Sequence, residues 1–95
     1  MNTLTAFNHT VEVHSKVISS PQSFSVQALN DFDDYLTEVA ESLISEVCDG
    51  DLPMDQREAS LARIRVLAEI LMNITEVYVR KAFGMGNMQI STTLH

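Results

Sequence analysis

Three histidines, one cysteine and a run of aspartates are the residues of this chain whose chemistry suits metal binding or attack on a substrate. Zinc needs three or four convergent ligands. His9 and His14 fall on opposite parities of a segment that reads as extended, so they point to opposite faces, and His95 is terminal. Cys48 stands beside Asp49 and Asp51. Their negative charge raises a thiol pKa, which predicts a small, half-buried residue and not a nucleophile. The run Asp49 to Asp55 resembles a calcium loop only superficially. It lacks the alternating oxygen ligands, the central glycine and the distal bidentate glutamate, and helix termination explains its aspartates. Gly84-Met85-Gly86 has no following helix to cradle a phosphate and reads as a hinge. Two glycosylation sequons, at Asn8 and Asn73, carry no weight without a secretory signal. The expectation is a protein with no catalytic residue, no metal and no cofactor, hence not an enzyme.

What remains is charge. The net formal charge is −7, and nine of the thirteen acids lie between Asp31 and Asp55, a stretch with no Lys or Arg. Within it Asp31, Asp34, Glu38 and Glu41 recur at helical spacing and form an acidic ridge. Such a ridge serves either as a solvated face or as a docking strip for a basic partner surface. Nucleic acid is repelled by this balance. Arg57, Arg63 and Arg65 suggest a DNA-binding helix only weakly. No run approaches the ~20 apolar residues a membrane span needs, and the first residues carry no leader pattern. The expected partners are therefore proteins, with no nucleic acid and no membrane, in the cytoplasm.

The elements that must hold this ridge follow from periodicity. From Val26 to Cys48, Leu29, Phe32, Leu36, Val39, Ala40, Leu43 and Val47 form one apolar stripe opposite the ridge, which predicts an amphipathic helix. Ser23 or Ser25 is placed to cap it. A loop over Asp49 to Asp55 ends it, with Gly50 suited to a left-handed exit. Asp55 and Glu58 have capping-box spacing for a second helix from Gln56 to Phe83, with Gly84 as its stop. So short a loop makes the two helices antiparallel.

That second helix is apolar over roughly two-thirds of its circumference. Its polar remainder is the stripe Arg65, Glu69, Asn73, Glu76 and Arg80, with Asn73 read as exposed. An arc this wide needs cover on two sides, and 95 residues supply little else to provide it. A second copy is the natural cover, with Val66, Ile70, Ile74 and Val77 predicted at the dimer interface. At the N-terminus, Phe7, Val11, Val13 and Val17 share a parity, and β-branched residues are frequent. This predicts a strand within Ala6 to Ile18. A second alternation predicts a short strand over Asn87 to Leu94.

The fold class expected is mainly α. It is one small domain, an antiparallel two-helix hairpin with short N- and C-terminal β-strands, dimerising into a four-helix bundle-like assembly. In size, charge and plan the chain resembles the small acidic helical-hairpin accessory proteins of bacteria and phages, many of which bind and mask a regulator, nuclease or other assembly. The resemblance implies a stoichiometric interaction module that regulates or inhibits a protein partner. The alternative is a small-ligand protein or enzyme with an apolar pocket between helices, lined adaptably by Met54 and Met72.

Overall fold

A serine and a proline set the ends of the helical hairpin. Ser25 leaves the chain extended and its hydroxyl accepts from the Ala28 amide at 3.0 Å, opening a helix over Val26–Val47. Pro53, with its φ fixed at −57°, precedes a second helix over Met54–Ala82, and its carbonyl accepts from Gln56 and Arg57 at 3.1 Å. The computed structural model describes residues 2–84, and the predicted strand at Asn87 to Leu94 lies outside them, as does His95.

The N-terminal segment is not a strand. Thr3–Ser19 is a helix, labelled α1; a 3-10 turn follows at Pro21–Ser23, and the two hairpin helices are α2 (Val26–Val47) and α3 (Met54–Ala82). The alternation of Phe7, Val11, Val13 and Val17 misled because Ala6, Thr10, Val13 and Val17 also recur at helical spacing, and that set meets the core. β-branched residues disfavour a helix by only a few tenths of a kcal/mol each, which burial on a neighbour overrides. Asn2 starts α1 by accepting from the Thr5 amide at 2.8 Å. Buried Thr10 donates its hydroxyl to the Phe7 carbonyl at 2.6 Å, so the polar atom costs little inside.

Two caps differ from expectation. Gly50 does not take a left-handed turn: among the described residues Gly84 alone has positive φ, at 65°. Asp49 turns the loop instead, its carboxylate accepting from the Asp51 amide at 2.9 Å and its carbonyl from the Leu52 amide at 3.2 Å. The Asp55–Glu58 capping box is not made. Asp55 accepts from the adjacent Gln56 amide, and α3 begins at Met54, two residues earlier than predicted.

α2 and α3 form the antiparallel hairpin, locked at the loop end by two side chains. Arg57 Nε donates to the Val47 carbonyl at 3.1 Å, and buried Ser60 donates to Glu46 at 2.7 Å. A basic group on the last turn of α2 is the arrangement its dipole favours. Leu29, Phe32, Leu36, Val39 and Leu43 of α2 pack with Leu67, Ile70 and Ile74 of α3 and Val17 of α1 into one core. α1 lies on this hairpin, its His14 against Asn73 of α3 and its His9 ring edge-on to Tyr35 of α2. The envelope measures 50 × 30 × 18 Å. Its short dimension is under two helix diameters, so each helix keeps an outer face with no second layer over it.

Candidate functional site

α2 carries the acidic ridge because its apolar stripe fixes its rotation. Leu29, Leu36, Val39 and Leu43 are buried, which turns Asp31, Asp34, Glu38 and Glu41 straight outward, and all four are exposed. Successive ridge residues stand about one helical turn, ~5.4 Å, apart. That is inside the ~10 Å screening length at 0.1 M salt, so their fields add. Asp31 accepts a hydrogen bond from Gln27 at 2.9 Å. The close contacts between basic and acidic side chains among the described residues lie elsewhere: Arg80 pairs with Glu76 at 2.7 Å on α3, and the His9 ring lies 4.0 Å from Glu12 on α1. No Lys or Arg among them neutralises the ridge.

The four residues expected at a dimer interface divide. Ile70 and Ile74 are 3% and 1% exposed within the core of one chain, and Val77 packs half-buried against that core. Val66 is 43% exposed. Ile70 and Ile74 are unavailable to a second copy because α1 and α2 together cover the side of α3 on which they stand. The free apolar surface of α3 is on the opposite side. Met54, Leu61, Ala68 and Met72 face solvent there, Met72 at 71% exposure. The wide apolar arc signalled this surplus, but periodicity alone did not say which part of the arc faces inward. α1 has a smaller counterpart in Leu4, Val11 and Ile18, exposed and spaced by seven.

The remaining candidates are dispersed. His9 and His14 address different helices, and His14 and Asn73 approach to 3.2 Å. Asn73 is half-buried, not exposed, and ties α1 to α3. Its partner comes from the segment read as a strand, so nothing nearby in sequence announced the contact. Cys48 is a free thiol and exposed, not half-buried. Among the described residues no three His, Cys, Asp or Glu side chains converge as metal ligands do. Arg57 is tied to the α2 terminus and Arg63 is half-buried, while Arg65 points to solvent, so the three arginines form no common patch.

Between α2 and α3 a shallow groove is lined by Leu29, Asn30, Asp33, Ile74, Thr75 and Tyr78, among others. Met54 and Met72, the linings expected of an apolar pocket, are not among its walls. Among the described residues no helix is long and apolar enough to cross a membrane. No protein family, no curated protein and no solved structure matches this chain.

Proposed function

We propose that this chain is a non-enzymatic interaction protein, a stoichiometric regulator or inhibitor that docks its acidic outer face on the basic surface of a protein partner and masks it. One observation carries the reading: Asp31, Asp34, Glu38 and Glu41 stand exposed in line on one rigid helix with no basic side chain among the described residues paired to them. A face that serves solubility alone works best with both signs interspersed. A single-signed line steers an oppositely charged partner, raising the encounter rate more than the final affinity. Neighbouring like charges on one helix face destabilise it slightly, so the ridge is kept at a small cost to folding, while the core stripe on the opposite side does not depend on it. A reducing, cytoplasmic setting suits a chain whose one cysteine is free and exposed.

The test is capture from a host lysate on the immobilised chain, with elution by a salt gradient and identification by mass spectrometry. The wild type should retain a protein in stoichiometric amount that elutes with rising salt, and Asp34→Lys/Glu38→Lys/Glu41→Lys should not. Equal retention by both at equal salt refutes ridge docking.

A further inference from the structure

The outer side of α3 has a repeat that its inner side does not share. Met54, Leu61, Ala68 and Thr75 recur every seven residues, and Glu58, Arg65, Met72 and Val79 follow each of them by four. This 3–4 spacing is the seam of a coiled coil. All eight are exposed except Val79, which is half-buried, and Ile70, near the middle of α3, points away from the seam into the core. The seam is therefore a continuous helix face, open to solvent from Met54 to Met72 and bordering the groove beside α2 at Thr75 and Val79.

We propose that a second copy of the chain occupies this face, its α3 lying antiparallel, with the twofold axis level with Ile70. The charges within the seam decide the direction. In a parallel, in-register pair each seam residue meets its own copy, so Glu58 faces Glu58 and Arg65 faces Arg65. Both layers are then like-charged and desolvated. In the antiparallel pair positions summing to 140 meet: Leu61 with Val79, Ala68 with Met72, Arg65 with Thr75 and Glu58 with Ala82. The large side chains then fall opposite smaller ones and no like charges share a layer.

The flank agrees with this direction. Glu69, Glu76 and Arg80 flank the seam on the side of its own Glu58 and Arg65, so the charges on that side run Glu58, Arg65, Glu69, Glu76, Arg80. Turned end for end, it places Arg65 within one residue of the level of Glu76 and Arg80 within two residues of the level of Glu58. These are axial offsets of about 1.5 and 3 Å. Glu69 alone meets its own copy, near the axis, with Arg65 one turn away on its own helix. This surface is separate from the α2 ridge, so either proposal can fail without the other.

Cysteine trapping tests the arrangement on the full chain in a Cys48→Ser background. Ala68→Cys alone and Met72→Cys alone should give no interchain disulfide under mild oxidation, while an equimolar mixture should give the cross-linked heterodimer. Cross-linking of each variant by itself indicates the parallel pair and overturns the proposal. A wild type that sediments as a single chain at micromolar concentration overturns it too. Leu61→Glu/Met72→Glu should sediment as a monomer with an unchanged helical circular-dichroism spectrum, and a dimer that survives this double change places the interface elsewhere. Glu69→Gln should tighten self-association about two- to fivefold by removing one like-charge contact. A weakening there contradicts the axis position.

Discussion

The outer faces of α2 and α3 are both uncovered, yet they are built for opposite ends. On α2 the solvent side is a line of four carboxylates with nothing apolar among them except Ile44 near its end. On α3 it is an apolar line edged with charges of both signs, Glu76 and Arg80 already paired at 2.7 Å. Two copies of the first face would repel each other, whereas in the pairing proposed above two copies of the second bring opposite charges together. For a chain of net charge −7, pairing meets the least repulsion where its few cations are, and all of these but Lys16 lie on α3. The contrast teaches that exposure alone does not define a binding surface; sign pattern and spacing say which partner it fits.

The sharpest way to break the contrast is to attack the inner side of α3 instead of the outer. Ile70→Asp puts a charge at a position 3% exposed inside one chain, and should cost about 3–5 kcal/mol of folding stability. Thermal melts by circular dichroism should show the loss at every protein concentration. A well-folded monomer would return Ile70 to the interface. Leu43→Ala on α2 should lower the urea midpoint by an amount equivalent to about 2–5 kcal/mol, since Leu43 is fully buried in the same core.

A milder perturbation concerns α1, which buries only Thr10 and Val17 fully, against five residues from α2. Asn73→Ala removes the side-chain contact to His14 and should cost about 0.5–1.5 kcal/mol. Hydrogen exchange should show it as faster exchange in α1 with little change in α2. Uniform acceleration across the chain would mean that the three helices open as one unit. The smallest stability effect belongs to the ridge. Asp34→Lys/Glu38→Lys/Glu41→Lys should move the melting free energy by less than about 1 kcal/mol per site, because exposed charges contribute little to folding.

The α2 stripe from Leu29 to Leu43 and the ridge opposite it were readable in the sequence because apolar and acidic residues alternate with the helical period and nothing else competes. The existence of α3 was equally plain, and so was its stop at Gly84. The N-terminal helix was not. Thr10, Val11, Val13, Val17 and Ile18 favour a strand locally, and only packing on the α2–α3 hairpin selects the helix. That one misreading bears on Ile70 and Ile74, which the structure places in the core of a single chain. The width of the α3 arc predicts a second cover for it, and with a strand expected at the N-terminus that cover is sought in a second copy; α1 supplies it on the side of Ile70 and Ile74, which leaves the side of Leu61 and Met72 open.

Sedimentation equilibrium of three proteins, the wild type, Leu61→Glu/Met72→Glu and Asp34→Lys/Glu38→Lys/Glu41→Lys, tests most directly whether the two outer faces have different partners. The wild type should be a dimer, the seam variant a folded monomer, and the ridge variant a dimer of undiminished affinity. Dissociation on ridge reversal, or a dimer indifferent to the seam, would contradict this division of partners.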